Sequence, residues 1–345
     1  MRSLTKSVEI GWGGVPRVID VPRAARIVRP TSYPSSGPPE MVIQHALNNP
    51  IGAPALEQLC RNARSVCVLV PDETRKEIAS TVFPIIQPYF SSVEVSMGIA
   101  SGKHPIKVAP DGYWRHDARS QSLAHVGTTS RGTVVKFPRC VIDADLRILV
   151  GEIRPHYFAG YAGGAKMLFP GVAAEEGIWK NHLLKAEPGA RLAQIEGNPC
   201  RADMEEAAAM VGHSVIINVI RTPGGDITDA VYGDPVLAHR EGVKRARPIF
   251  EVSVDRKAKT VLVSDRNPVT MNLYQACKML PPAGAILAEG GTVIMAAECG
   301  AGIGPVEVIN DAIYRLGSIH SLPSDHRVIL VSSQGRSAVE PTFAS

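Results

Sequence analysis

Aromatic side chains are scarce, at 5% of 345 residues, whereas Gly (31) and Pro (27) are plentiful, so many sharp turns must be held by small residues. No apolar run reaches the roughly 18 residues that a bilayer-spanning helix requires, and Met1–Ile10 lacks the apolar centre of a secretory leader. No membrane partner is therefore expected, and the chain reads as soluble and cytoplasmic. An excess of charge of one sign is also missing: 37 Lys+Arg against 33 Asp+Glu leave +4, without long like-charge runs. That balance excludes a polyanion-binding surface, so no nucleic acid is expected as a partner. The six cysteines (Cys60, Cys67, Cys140, Cys200, Cys277 and Cys299) include no CxxC pair. Their spacing argues against a disulfide frame or a zinc site and suits reduced thiols in a core.

What the chain has instead is 45% hydrophobic residues, enough over this length for a large core divided between two domains. Residues 11–50, rich in Pro and Gly with short apolar stretches such as Arg17–Val21, read as an edge hairpin and an extended wrap. From Pro54 onwards, helix-like runs (Pro54–Arg64, Arg75–Ile86) alternate with continuous Val- and Ile-rich runs. These are Ser65–Pro71, Val93–Ile99, Leu146–Gly151, Val215–Ile220, Thr260–Ser264, Thr292–Ala296 and Val328–Ser332. Apolar runs without polar alternation mark strands covered on both faces, hence an α/β fold with mainly parallel sheets. The charged stretch Glu251–Lys259 is the natural junction. The expected organisation is two α/β domains, residues 1–255 and 256–345, with an active-site cleft between them.

Ligands of open α/β sheets gather at the carboxyl ends of the strands. Here those positions carry Asp72-Glu73-Thr74-Arg75, Ser101-Gly102-Lys103-His104, Arg154-Pro155-His156 and Ser264-Asp265-Arg266-Asn267. The densest signal is His156-Tyr157-Phe158-Ala159-Gly160-Tyr161-Ala162-Gly163-Gly164-Ala165-Lys166, followed by Phe169-Pro170-Gly171 and Asn181-His182. Three glycines within five residues let backbone approach a ligand and adopt positive φ, with Lys166 projecting from the end of the turn. This is not a phosphate loop: Ala165 stands where a glycine must precede the lysine, and Met167 where Ser or Thr must follow it. No GxGxxG follows the first strand, which argues against a nicotinamide dehydrogenase.

His156, Lys166 and His182, in that order around a GxxGG turn with Pro-Gly after it, resemble the signature of the lactate racemase family, whose members use a nickel-pincer nucleotide. The resemblance extends over most of the chain. Asp72–Arg75, Gly102–His104, Arg115-His116-Asp117, Gly197-Asn198-Pro199, Gly233-Asp234 with Ala238-His239, and Leu273–Lys278 fall where that family has similar blocks.

The resemblance implies an isomerase, a racemase or epimerase of a lactate-like 2-hydroxy acid. Its cofactor would be a pyridinium bis-thiocarboxylic mononucleotide carrying nickel, supplied by cofactor-synthesis proteins. In this reading His104 and His156 are the catalytic acid/base pair, Lys166 joins the cofactor covalently, and His182 is the metal ligand. Asp72, Gly163 and Gly164 contact the cofactor, while Arg75, Tyr274, Gln275 and Lys278 hold the substrate. The first domain would then carry the cofactor and acid/base residues, and the second would contribute substrate contacts. The chemistry has a physical rationale: the α-hydrogen beside a carboxylate is poorly acidic, so a hydride route avoids a costly carbanion but needs a base on each face for the hydroxyl proton. An imidazole near its ordinary pKa serves as such a base, and imidazole nitrogen suits Ni(II). A guanidinium fork binds both oxygens of a carboxylate.

Three departures from the family pattern stand out. Glu73 and Lys76 replace an Arg and a Pro, Pro105 stands where an Arg is commoner, and the chain stops soon after Gln334, which shortens the second domain. They point to a substrate other than lactate. The alternative they raise is a non-catalytic nucleotide- or metal-binding homologue, against which the joint presence of His104, His156, Lys166 and His182 speaks. For Asp72 a helix N-cap is the structural alternative, and His116, Asp117 and His239 read as supporting residues.

Overall fold

The computed structural model describes residues 3–30, 33, 35–103, 109–304, 320–335 and 337–339, with only the backbone of Thr74. His104 and Pro105 lie outside the described residues. The polypeptide forms two compact units, a larger one from residues 30–184 and 193–251 and a smaller one from 1–29, 185–192 and 252–345.

The smaller unit begins with an antiparallel hairpin of β1 (Thr5–Ile10) and β2 (Arg17–Pro22). In the larger unit a helix, Pro39–Asn48, occupies part of the segment expected as an extended wrap. Pro38 takes the N-cap and Pro39 the first turn, where a fixed φ and a missing N–H do no harm, and Val42, Ile43, Ala46 and Leu47 are buried along one face.

The larger unit is built on strands β3 (Ser65–Pro71), β4 (Glu94–Ala100) and β5 (Tyr113–Arg115), then a small hairpin of β6 (Ala124–Thr128) and β7 (Val134–Phe137), then β8 (Leu146–Glu152). A two-residue ladder of β9 (Pro155–His156) and β10 (Gly160–Tyr161) precedes β11 (Ser214–Arg221) and β12 (Ile227–Gly233). Six of these form one sheet in the order β12-β11-β8-β3-β4-β5, parallel throughout except for the β11–β12 hairpin at one edge. Every residue of β8 is buried, as a central parallel strand requires. Val68, Val70, Ile148, Val150, Ile217 and Val219 share a core with Ile43, Ile78, Val82 and Ile86 from the helices Pro39–Asn48 and Lys76–Ile86. Full burial of each such side chain is worth about 1.5–3 kcal/mol.

The smaller unit continues with a three-stranded parallel sheet, β13 (Ala258–Ser264), β14 (Leu287–Ala296) and β15 (His326–Val331), in that order. Val261, Val293 and Met295 pack with Leu273, Met279 and Leu280. The fold is thus α/β with mainly parallel sheets. Each of the seven apolar runs falls on one of β3, β4, β8, β11, β13, β14 and β15. Among the described residues no helix is long and apolar enough to cross a membrane.

Candidate functional site

The carboxyl edge of the larger sheet gathers charge. Glu152 ends β8, and its side chain is only 6% exposed. Arg221, at the end of β11, donates to it through Nε at 3.0 Å and Nη2 at 3.3 Å. Arg75, from the short 3-10 turn Glu73–Arg75 after β3, brings its Nε to 3.3 Å from Glu152 Oε2, and Arg154 Nη1 lies 4.0 Å from the same oxygen. That turn also delays the following helix: its N-cap position is Arg75, so Asp72 sits three residues ahead of it, where its carbonyl accepts from Arg75 N–H.

The glycine-rich turn lies over the same edge and is held from behind. Arg201, 1% exposed, donates to the carbonyl oxygens of Ala159 (3.3 Å), Tyr161 and Gly163 (3.2 Å). Burial pulls its guanidinium down to about 10, the nearby Glu205 only partly offsetting this. His239, fully buried, hydrogen-bonds through Nε2 to Ala162 O at 2.8 Å, so Nε2 carries the hydrogen. Burial, and then the Arg201 charge, hold His239 well below its ordinary pKa and keep it neutral. Asn218 in β11 accepts from Gly164 N–H at 2.7 Å and donates to Leu149 O at 3.2 Å, tying the turn to two strands.

This explains the glycines differently from close ligand approach. A Cβ on Gly163 (φ +80°) would meet Asn218 Oδ1 at 2.5 Å, and one on Gly164 (φ +62°) would meet His239 Cγ at 2.8 Å. The turn needs glycine to pack against its own supports. Lys166 follows in the 3-10 turn Gly164–Met167, half-buried.

His156 and His182 reach the same neighbour. Their rings lie 4.6 Å and 5.0 Å from the ring centre of Phe158, both edge to face. Ala159 N–H donates to His156 Nδ1 at 3.3 Å. His182 sits near the end of the helix Glu175–Leu183, and the preceding Asn181 anchors that helix in the interior. Asn181 Nδ2 donates to Asp203 Oδ2 at 2.8 Å, and Asp203, fully buried, also accepts from Thr129 and Thr133 hydroxyls at 2.5 Å and 2.9 Å. The loop after β4 approaches the same helix: Lys103 Nζ stands 5.0 Å above the Trp179 ring, and Gly102 N–H donates to Gly171 O. Ser101 Oγ, at the end of β4, is buried and has no hydrogen-bond partner among the described residues.

In the smaller unit Tyr274, Gln275 and Lys278 form one cluster on the turn after β13. Asn272 caps it, accepting from Gln275 N–H at 2.9 Å. Lys278 Nζ donates to Gln275 Oε1 at 2.6 Å and stands 5.7 Å from the Tyr274 ring centre. Burial pushes the Tyr274 hydroxyl pKa up.

The lactate racemase N-terminal domain model matches residues 14–107 and 108–193, more than half of the chain. The chain belongs to the lactate racemase family. A lactate racemase of Thermoanaerobacterium thermosaccharolyticum is 29% identical over 94% of this chain and 88% of its own length. One from Lactiplantibacillus plantarum is 28% identical over 74% of this chain and 65% of its own length. The structure of the T. thermosaccharolyticum apoprotein superposes with a TM-score of 0.88 at 26% identity, covering 98% of this chain and 91% of that one. A Thermotoga maritima protein at 14% identity and a TM-score of 0.63 shares the fold. This member of the lactate racemase family is accordingly an enzyme of the isomerase class.

Of the residues read from the sequence of this racemase-family chain, the larger unit brings together His156 and His182 around Phe158, and Lys166, Gly163 and Gly164 on one turn. It sets Arg75 against Glu152. His104 lies outside the described residues, and Tyr274, Gln275 and Lys278 belong to the smaller unit. Four supporting residues carried no expectation: Glu152, Arg201, Asp203 and Asn218. Asn218 had a usable signal, since a polar residue inside the apolar run Val215–Ile220 must find partners once buried.

Proposed function

We propose that this chain is a racemase or epimerase of a 2-hydroxy acid that works with a lysine-tethered nickel-pincer nucleotide. The observation that carries the reading is the arrangement of His156 and His182 against one aromatic ring, beside the turn that presents Lys166.

The donor set fits such a group. Among the described residues no three His, Cys, Asp or Glu side chains gather to hold a metal, so a metal at His182 requires donors that arrive with it. A nucleotide bringing its own sulfur and carbon donors supplies them. His182 would provide the imidazole ligand, and Lys166 the amine for the covalent link. When bound, the group would supply an electrophilic centre for reversible hydride transfer at the carbinol carbon.

The chain's own residues do the rest. His156 accepts the Ala159 N–H at Nδ1, which places the exchangeable hydrogen of the neutral ring on Nε2, the atom we assign to proton exchange with the substrate hydroxyl. His104 takes the same role on the other face. Arg75 binds the substrate carboxylate, and Tyr274, Gln275 and Lys278 are the further substrate contacts. Asp72, Gly163 and Gly164 are assigned to the cofactor. Glu73 and Pro105 favour a hydroxy acid other than lactate.

The test is production of the protein together with a cofactor-synthesis system. Intact mass and metal content are expected to show an adduct on Lys166 with one nickel per chain, and chiral analysis of a 2-hydroxy acid panel is expected to show interconversion that His156→Ala and His104→Ala abolish. Absence of both adduct and interconversion would leave a non-catalytic homologue; full racemisation by either variant would overturn the two-base assignment.

A further inference from the structure

Glu152 is a charged group at the carboxyl edge that the proposed chemistry does not use. Its carboxylate is buried at the end of β8, in the middle of the sheet, and three arginines, from the turn after β3, the segment after β8 and the end of β11, converge on it. Arg221 is the closest partner, bound through two nitrogens and itself only 16% exposed, so this pair is a fixed part of the wall. Arg75 differs: its side chain is 33% exposed, and its Nε lies 3.3 Å from Glu152 Oε2. Arg154 is more exposed still and more distant.

We propose that Glu152 is a positioning residue that acts on substrate through Arg75: its buried carboxylate fixes the Arg75 guanidinium and competes with the carboxylate of an incoming 2-hydroxy acid for it. The inference rests on the reading of Arg75 as the carboxylate-binding group. Two consequences follow, with opposite effects on binding and turnover. Holding Nε sets the plane of the fork, and with it the orientation of a bound acid, which favours a reactive geometry. Sharing the charge weakens the grip on any carboxylate, which favours release. Removing the Glu152 charge while keeping its shape therefore binds anions more tightly and orients them less well.

The experiment compares wild-type holoenzyme, Glu152→Gln and Glu152→Asp. Oxalate, a small carboxylate with no hydrogen to transfer, is titrated calorimetrically at low salt, and kcat and KM are measured with an accepted 2-hydroxy acid. Glu152→Gln is expected to bind oxalate roughly tenfold more tightly, the size of one partly buried charge interaction, with KM and kcat both reduced. The gain is expected to disappear in Arg75→Ala/Glu152→Gln. Glu152→Asp keeps the bond to Arg221 with a shorter reach to Arg75, and shows a smaller gain of the same sign if Glu152→Gln does not fold. Oxalate affinity within twofold of wild type in both variants overturns the proposal, as does a gain that survives loss of Arg75. The oxalate titration needs no turnover, so a wild-type protein inactive on every hydroxy acid refutes the proposed function without deciding the role of Glu152.

Discussion

Arg201 donates to the carbonyl oxygen of Gly163 across 3.2 Å from a position only 1% exposed, so a buried charge holds the turn that presents Lys166. Replacement by Met strips three carbonyls of a donor and leaves Glu205 beside Arg240 alone. The expected loss is about 3–5 kcal/mol in unfolding free energy, since three carbonyls lose charge-assisted hydrogen bonds worth about 1.5–3 kcal/mol each, offset in part by the relieved desolvation of the guanidinium. Arg201→Lys should recover only part, because an ammonium cannot reproduce the planar fork. Chemical denaturation of both variants checks this, and a loss below about 1 kcal/mol for Met would refute the clamp.

Gly164→Ala forces a side chain into φ +62° and sets its Cβ 2.8 Å from His239 Cγ. A cost of about 2–4 kcal/mol is expected from the backbone and the overlap together. Gly197→Ala is the control: its φ of +69° is similar, but nothing lies within 4 Å. It should cost only the backbone share, about 1–2 kcal/mol. Equal losses in the two variants would show that the fit against His239 is immaterial.

His239 gives the protein an acid limit. In the folded chain its pKa is depressed, while in the unfolded chain it protonates near its ordinary value of about 6.5. Below that pH the unfolded state binds the extra proton, so stability present above about 6.5 is lost as pH falls, at up to about 1.4 kcal/mol per pH unit. His116, also buried and lowered by burial, adds a contribution of the same sign. Denaturation midpoints between pH 7.5 and 5 should show the decline, and His239→Gln should flatten it. An unchanged slope in the variant would assign the acid limit elsewhere.

Asn181→Ala removes the donor to Asp203 and Cys200 O that anchors the helix bearing His182. A stability loss of about 1–2 kcal/mol is expected from the two lost hydrogen bonds, since Asp203 Oδ2 keeps the Thr133 hydroxyl. If His182 ligates nickel, retention of the metal during dialysis should fall roughly tenfold. Thr133→Val disturbs the same carboxylate from another side, and should lower stability while leaving nickel retention closer to wild type.

The sheet was legible because a strand buried on both faces admits few residue types. β3 reads as an apolar run and β8 as one interrupted only by Arg147, and their ends are located to within a residue. The helix Pro39–Asn48 is not legible in the sequence, because prolines suit extended chain as well as the start of a helix, which Pro38 and Pro39 occupy here. β12 pairs as an antiparallel edge after a short polar turn, and no long apolar run distinguishes it.

The site was legible to a different depth. Histidines and a lysine around a glycine turn advertise chemistry in the local sequence. Their supports do not: Arg201 lies 38 residues from Gly163, and His239 lies 77 from Ala162. Nothing in an arginine two positions after Asn198-Pro199 reveals that it will be the largest fully buried side chain among the described residues. Glu152 likewise reads as the polar residue that ends an apolar run, yet the fold buries it among guanidiniums.

The smaller unit joins residues from both sides of the larger one. Glu9 accepts from Arg266 at 3.1 Å, and Asn267 N–H donates to Gly13 O, so the first hairpin finds its place only against chain beyond Ser264. On the ribosome, at about 5–20 residues per second, that hairpin would wait roughly 12 to 50 seconds for its partner. By then β3 to β12 have all been synthesised. Translation order therefore lets the larger unit close first, and the hairpin, which has no buried residue of its own, docks last.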